Sequence, residues 1–197
     1  MPVTIVRESR SLNKPKASKQ KYISLEAYKK RHLDKTRYKY EWKDGTIERD
    51  DFTKIDERYI IDNIIRKFTE TPAFRSGNSI MAEADCYFSQ IKAYRRSDAA
   101  YFTKEQIRQP EQAPEAPALV IEVVSPSNTD IQNKLKMQDY LNAGVQMVWF
   151  IYSDVRQIWS HTSPTEVKIY QKDDMCDARS VAEGFQISVY AIFDQQS

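Results

Sequence analysis

Histidine and cysteine are scarce in this chain: His32, His161, Cys86 and Cys176 are all there are. Two cysteines are too few for a zinc cluster and do not suggest a disulfide framework. Two histidines nearly exclude a multi-histidine zinc centre, and any Ser-His-Asp triad would have to use one of them. His32 follows the basic run Lys29-Lys30-Arg31 on a predicted surface helix, and His161 follows Trp159-Ser160 near a turn. Both read as ordinary surface residues. Long apolar runs are missing too. The longest falls far short of the ~18–20 residues that cross a bilayer, so no transmembrane helix and no membrane partner are expected. The basic N-terminus lacks the apolar segment of a secretory signal, and a reducing cytoplasm is the expected setting. No internal repeat or low-complexity tract is found.

What is present is a globular composition. Hydrophobic residues make up 41% and charged residues 29% of 197, enough for one domain with a real core and too few for two. The net charge of +2 is unevenly spread. Residues 1–40 hold 12 Lys/Arg against 3 Asp/Glu, and the remainder holds 18 against 25. Residues 1–21 therefore read as a basic N-terminal arm and 22–197 as a single domain. Arg7, Arg10, Lys14, Lys16, Lys19 and Lys21 are the arm's candidate nucleic-acid contacts. A solvated tail explains the same charges, and charge alone favours it.

Ser24 can cap a helix over 25–33. Asp44-Gly45 between Trp42 and Ile47 predicts a hairpin over 38–48. Tyr59, Ile60, Ile64 and Phe68 recur at helical spacing, and Pro72 and Gly77 then break the chain. Strands are predicted at 79–90 and 94–102, and three prolines mark 109–117 as a loop. The unit strand 117–125, helix 131–143, strand 145–152 is a βαβ crossover, so its two strands should be parallel. Shorter strands follow near 156–160 and 166–171. The fold class is α/β, a central mixed sheet flanked by helices.

One residue stands out against this background. The run Ala118-Leu119-Val120-Ile121-Glu122-Val123-Val124-Ser125 has the make-up of a strand buried on both faces, yet Glu122 sits in its middle. An unpaired carboxylate there costs several kcal/mol, so Glu122 must be paired, protonated or holding a cation. Asp98, near the start of the preceding strand, is a second acid. Two acids on adjacent strands suit Mg²⁺ or Mn²⁺, and the backbone carbonyl of Val123 could supply a third oxygen. Phosphodiester hydrolysis also calls for a cationic side chain. Val124 stands where a lysine would follow the acid, but Gln132, Lys136 and Tyr140 form one stripe on the next helix. Lys136 is the candidate.

Tyr40-Glu41-Trp42-Lys43-Asp44-Gly45, Ser97-Asp98, Val120-Ile121-Glu122-Val123-Val124-Ser125-Pro126-Ser127, Lys136 with Tyr140, Ala143-Gly144-Val145 and Trp149, and Glu183-Gly184-Phe185 occur in that order. Together they resemble the Uma-two family, a branch of the PD-(D/E)XK restriction-endonuclease-like superfamily. The likeness runs over about residues 22–193. It implies a restriction-endonuclease-like core, metal-dependent phosphodiester hydrolysis, and a catalytic lysine moved from the strand to the following helix, as Val124 and Lys136 suggest. Asp98, Glu122 and Lys136 are the catalytic set so implied. Glu41, Tyr140 and Asp85 are possible supporting residues: Glu41 as another acid or an exposed hairpin residue, Tyr140 packed beside the site, Asp85 on the neighbouring strand. The sequence departs from the family pattern at Ser97, where proline is usual, at Glu57, where histidine is common, and at Gln132, where an acid is common. Glu57 reads as a helix N-terminal charge. Ser125 and Ser127 read as turn and cap residues, since no base accompanies them.

The expected function is a metal-dependent endonuclease acting on nucleic acid, with DNA the expected substrate and a homodimer suited to cutting both strands. The alternative is an idle nuclease fold that binds nucleic acid or another protein.

Overall fold

The computed structural model describes residues 22–32, 38–50, 54–111, 113–124 and 130–195. The basic arm, and with it Arg7, Arg10, Lys14, Lys16, Lys19 and Lys21, lies outside these residues, as do Ser125 and Ser127.

Helix α1 (Leu25–His32) leads to strands β1 (Lys39–Lys43) and β2 (Thr46–Asp50). The turn between the strands has positive φ at both Asp44 and Gly45, which the Asp-Gly pair supplies at little cost. The Tyr22 ring lies over Gly45 so closely that a Cβ would fall 2.1 Å from it. Trp42 Nε1 donates to the Ile23 carbonyl and the Tyr28 hydroxyl to the Tyr40 carbonyl, which docks α1 on the hairpin.

Helix α2 (Arg58–Thr69) buries Ile60, Ile61, Ile64 and Phe68, as its apolar spacing requires. Pro72 does more than break the chain. Thr71 caps a short helix α3 (Pro72–Arg75), and proline suits its first turn because no N–H is needed there. Strands β3 (Ser79–Phe88) and β4 (Ala93–Phe102) form a long hairpin. A capping box between Thr103 and Gln106 starts the short helix α4 (Lys104–Arg108), which hydropathy did not reveal. Strand β5 (Leu119–Val123), helix α5 (Asp130–Asn142) and strand β6 (Met147–Tyr152) are the expected crossover, and β5 and β6 are parallel. Strands β7 (Gln157–Ser163) and β8 (Glu166–Gln171) extend the sheet antiparallel. The chain closes with a small pair, β9 (Met175–Asp177) and β10 (Gln186–Ser188), and helix α6 (Val189–Ile192).

The main sheet runs β2-β1-β4-β5-β6-β7-β8, with β3 also on β4. A strand has two edges, and β3 pairs along almost the whole length of β4. Strands β1 and β5 therefore share the other edge. Trp42 and Lys43 pair with Tyr94 and Ala93, while Leu119 to Ile121 pair with Ala99 to Tyr101. Between these two sets the sheet forks. Residues 95–98 of β4 line the gap.

Successive side chains of β5 alternate faces. Leu119, Ile121 and Val123 join the core under α2 and α6, whereas Val120 and Val124 pack with Met137 and Tyr140 of α5. Glu122 has the parity of the second set and faces α5. Both histidines lie at the edge of the packing rather than at the site. His32 is half-buried against Tyr28 and Tyr40, and His161 is half-buried edge-on to Phe150. No described helix is long and apolar enough to cross a membrane.

Candidate active site at the fork of the sheet

The fork leaves backbone N–H groups without ladder partners, and acids take them over. Glu41 of β1 accepts from the Arg96 amide at 3.0 Å, and Asp98 of β4 accepts from the Val123 amide at 2.7 Å. Both carboxylates thus bridge diverging strands, which is why they lie inside the protein rather than on its surface. The position expected to offer its carbonyl, Val123, also anchors Asp98 through its amide.

Six side chains meet there: Lys39, Glu41, Asp98, Glu122, Lys136 and Tyr140. Lys39 Nζ lies 2.9 Å from Asp98 Oδ1 and 3.7 Å from Glu122 Oε2. Lys136 Nζ lies 3.1 Å from the same Glu122 oxygen and 3.5 Å from Glu41 Oε1. The Tyr140 hydroxyl donates to Glu122 Oε1 at 2.5 Å. Of the stripe read from the helix spacing, successive turns of α5 place Lys136 and Tyr140 on a single carboxylate, whereas Gln132 is exposed. Tyr140 therefore touches the site directly.

Beside this group lies a second cluster that the sequence did not disclose. Arg95 is buried and its guanidinium contacts Glu41 at 2.7 Å, Glu48 at 2.5 Å and Asp139 at 2.5 Å. Lys43 holds the other Asp139 oxygen at 2.5 Å. Glu41 joins the two clusters. Burial works against its charge, but Lys136 and Arg95 overcome this and hold its carboxyl down at about 2. Glu122 goes the other way. Burial dominates over the pull of Lys136 and Lys39, and its carboxyl is raised to about 7. Burial would also depress the Lys39 ammonium, yet the facing Asp98 and Glu122 carboxylates push it up.

Lys39 is a site residue that the sequence did not single out: its side chain is only 1% exposed and is directed at the acids. The available signal was alternation: Lys39, Glu41 and Lys43 share one face of β1. Asp85 does not converge on the site; Arg96 holds it in a bidentate pair at 2.7 Å. The acid across from Asp98 in the β3–β4 register is instead Glu83, whose φ of 50° interrupts the pairing. Glu57 bonds to Ser153 at the end of β6 rather than to the cluster.

The chemistry of the donor set suits a hard cation. Two buried carboxylates converge on one positive charge, at present the Lys39 ammonium. Among the described residues no group of three or more His, Cys, Asp or Glu is placed to hold a metal ion.

A family model, Uma2, described as "Putative restriction endonuclease", matches residues 22–190. The chain belongs to the Uma2 family. A crystal structure of a "putative nuclease belonging to DUF820" from Anabaena variabilis ATCC 29413 is similar in fold, with a TM-score of 0.72. It is 20% identical in sequence, over 87% of this chain and 97% of that one. At that identity the likeness establishes the nuclease-type fold. No curated protein matches the chain. The Uma2 match spans β1, β4, β5 and α5, and so includes every residue of the fork.

Proposed function

We propose that this Uma2 protein is a divalent-metal-dependent endonuclease that hydrolyses phosphodiester bonds of nucleic acid, DNA in the first place. The observation that carries the reading is the convergence of Asp98 and Glu122 on one positive charge, with Lys136 on the same Glu122 carboxylate. Asp98 and Glu122 would hold Mg²⁺ or Mn²⁺, with the Val123 carbonyl as a further oxygen. Such an ion stabilises charge on the phosphate and lowers the pKa of a bound water.

The chain's own residues supply positioning and fixed charge. Lys136, held between Glu122 and Glu41, presents an ammonium to charge developing on the phosphate. Glu41 stays ionised because Lys136 and Arg95 flank it, and so keeps Lys136 in place. Tyr140 fixes one Glu122 oxygen and leaves the other towards the cations. Arg7, Arg10, Lys14, Lys16, Lys19 and Lys21 are in this reading the contacts to the nucleic-acid backbone.

Nicking of supercoiled plasmid with Mg²⁺ or Mn²⁺, with and without chelator, tests the proposal. Chelator should abolish cleavage. Asp98→Asn, Glu122→Gln and Lys136→Ala should each lose roughly 10²-fold or more while keeping the wild-type circular dichroism spectrum. Full activity in either acid variant would reject the assignment. The Lys39 contact favours one second reading, in which the chain's own lysine idles the site and the protein only binds nucleic acid. Chelator-insensitive, strongly salt-dependent binding without cleavage is its signature.

A further inference from the structure

Lys39 occupies the position that the two acids define for a cation. Its ammonium is 2.9 Å from Asp98 and 3.7 Å from Glu122, and its side chain is sealed from solvent. A Mg²⁺ ion bound by the same carboxylates needs oxygens at about 2.0–2.1 Å around it, which leaves no room for an ammonium between them. The charges agree. Asp98 and Glu122 already face Lys39 and Lys136, and Glu41 lies on Lys136 as well. A dication added to this group would raise its charge by two in a dry site. With Lys39 expelled the rise is one, which a phosphodiester monoanion matches.

We propose that Lys39 is a resident counter-ion of the Asp98–Glu122 pair, which a divalent metal must displace to bind. This rests on the metal-dependent reading above and adds a regulation to it: the metal-free site is self-neutralised, and metal enters well only when substrate phosphate accompanies it. The destination we assign to the displaced lysine is Glu83, which stands opposite Asp98 in the strand register and is exposed. Its left-handed backbone, unusual inside a strand for a residue with a side chain, turns that position out of the ladder.

The test is a calorimetric Mn²⁺ titration at pH 8, without nucleic acid, of wild type, Lys39→Met, Lys39→Gln and Glu122→Gln, each checked by thermal melting. Removing the ammonium should tighten Mn²⁺ binding at least tenfold over wild type, and Glu122→Gln should abolish it. If both Lys39 variants bind no more tightly than wild type while Glu122→Gln loses binding, the metal site stands and the counter-ion role is overturned. If no folded variant binds, the metal reading itself fails and this inference with it. Should the Lys39 variants not fold, ¹⁵N-lysine spectra of the wild type decide the matter. Lys39 and Lys136 are the buried lysines among the described residues. Saturating Mg²⁺ should remove the solvent protection of one of these two ammonium groups, and persistence of both signals overturns the proposal.

Discussion

The Tyr140 hydroxyl donates a 2.5 Å hydrogen bond to Glu122 Oε1, across the interface between α5 and the central strand β5. Tyr140 is fully buried, so this donor has no water to turn to. Tyr140→Phe leaves one buried carboxylate oxygen short of its donor and should destabilise the fold by about 1–3 kcal/mol. Urea unfolding at pH 8, where Glu122 is mostly ionised, is the measurement. A change within error would mean that the bond is not formed in solution.

Glu122 makes stability depend on pH with a definite sign. Its carboxyl lies near 7 in the fold against 4.5 unfolded, because burial disfavours the charge. The native state therefore binds the proton more tightly, and stability from this group falls as pH rises from about 4.5 through 7. Glu122→Gln imitates the protonated form and should lack that loss. The difference between variant and wild type should grow from pH 5 to pH 8, reaching on the order of 3 kcal/mol at most. Metal-free denaturation curves at the two pH values check this, and a constant difference would contradict it.

Arg95 is the single cation shared by Glu41, Glu48 and Asp139. Arg95→Met removes a buried bond from each of two carboxylates, leaving Glu41 with Lys136 and Asp139 with Lys43, and should cost about 3 kcal/mol. Glu48→Gln, at the half-exposed end of the same cluster, should cost less than about 1 kcal/mol. Thermal melts of the two variants side by side give the comparison. Equal losses would show that the cluster is not held as described.

Cys86 and Cys176 are both buried, and burial pushes each thiol up to about 12. The reactive thiolate is therefore rare in the native state at pH 8. Iodoacetamide should label neither residue appreciably in native protein and both rapidly in urea, as read by mass spectrometry. Fast native labelling of either would mean that its strand opens locally.

Much of the site was legible because a chemical cost marked it. Glu122 breaks an otherwise apolar strand, and the periods of strand and helix brought Asp98, Lys136 and Tyr140 to the same face. Glu41 was ambiguous in the sequence, since a hairpin residue gives no sign of burial. Arg95 and Asp139 were not legible at all, and Lys39 only in that it shares a face of β1 with Glu41. Each is an unremarkable charge in a segment dense with charges, and what fixes it is a partner 59, 54 or 44 residues away.

The sequence alone determined most of the longer local elements, the βαβ crossover and the presence of a costly buried acid. Those follow from periodicity, turn residues and desolvation, which act over a few neighbouring residues. Only the tertiary structure decided that β1 and β5 share one edge of β4 and part between Tyr94 and Ala99. That fork frees the amides of Arg96 and Val123, draws Glu41 and Asp98 inward to satisfy them, and brings the Lys39 ammonium between the acids. Edge sharing is set by which strands pair at long range, and strand pairing depends on backbone groups that every residue carries alike.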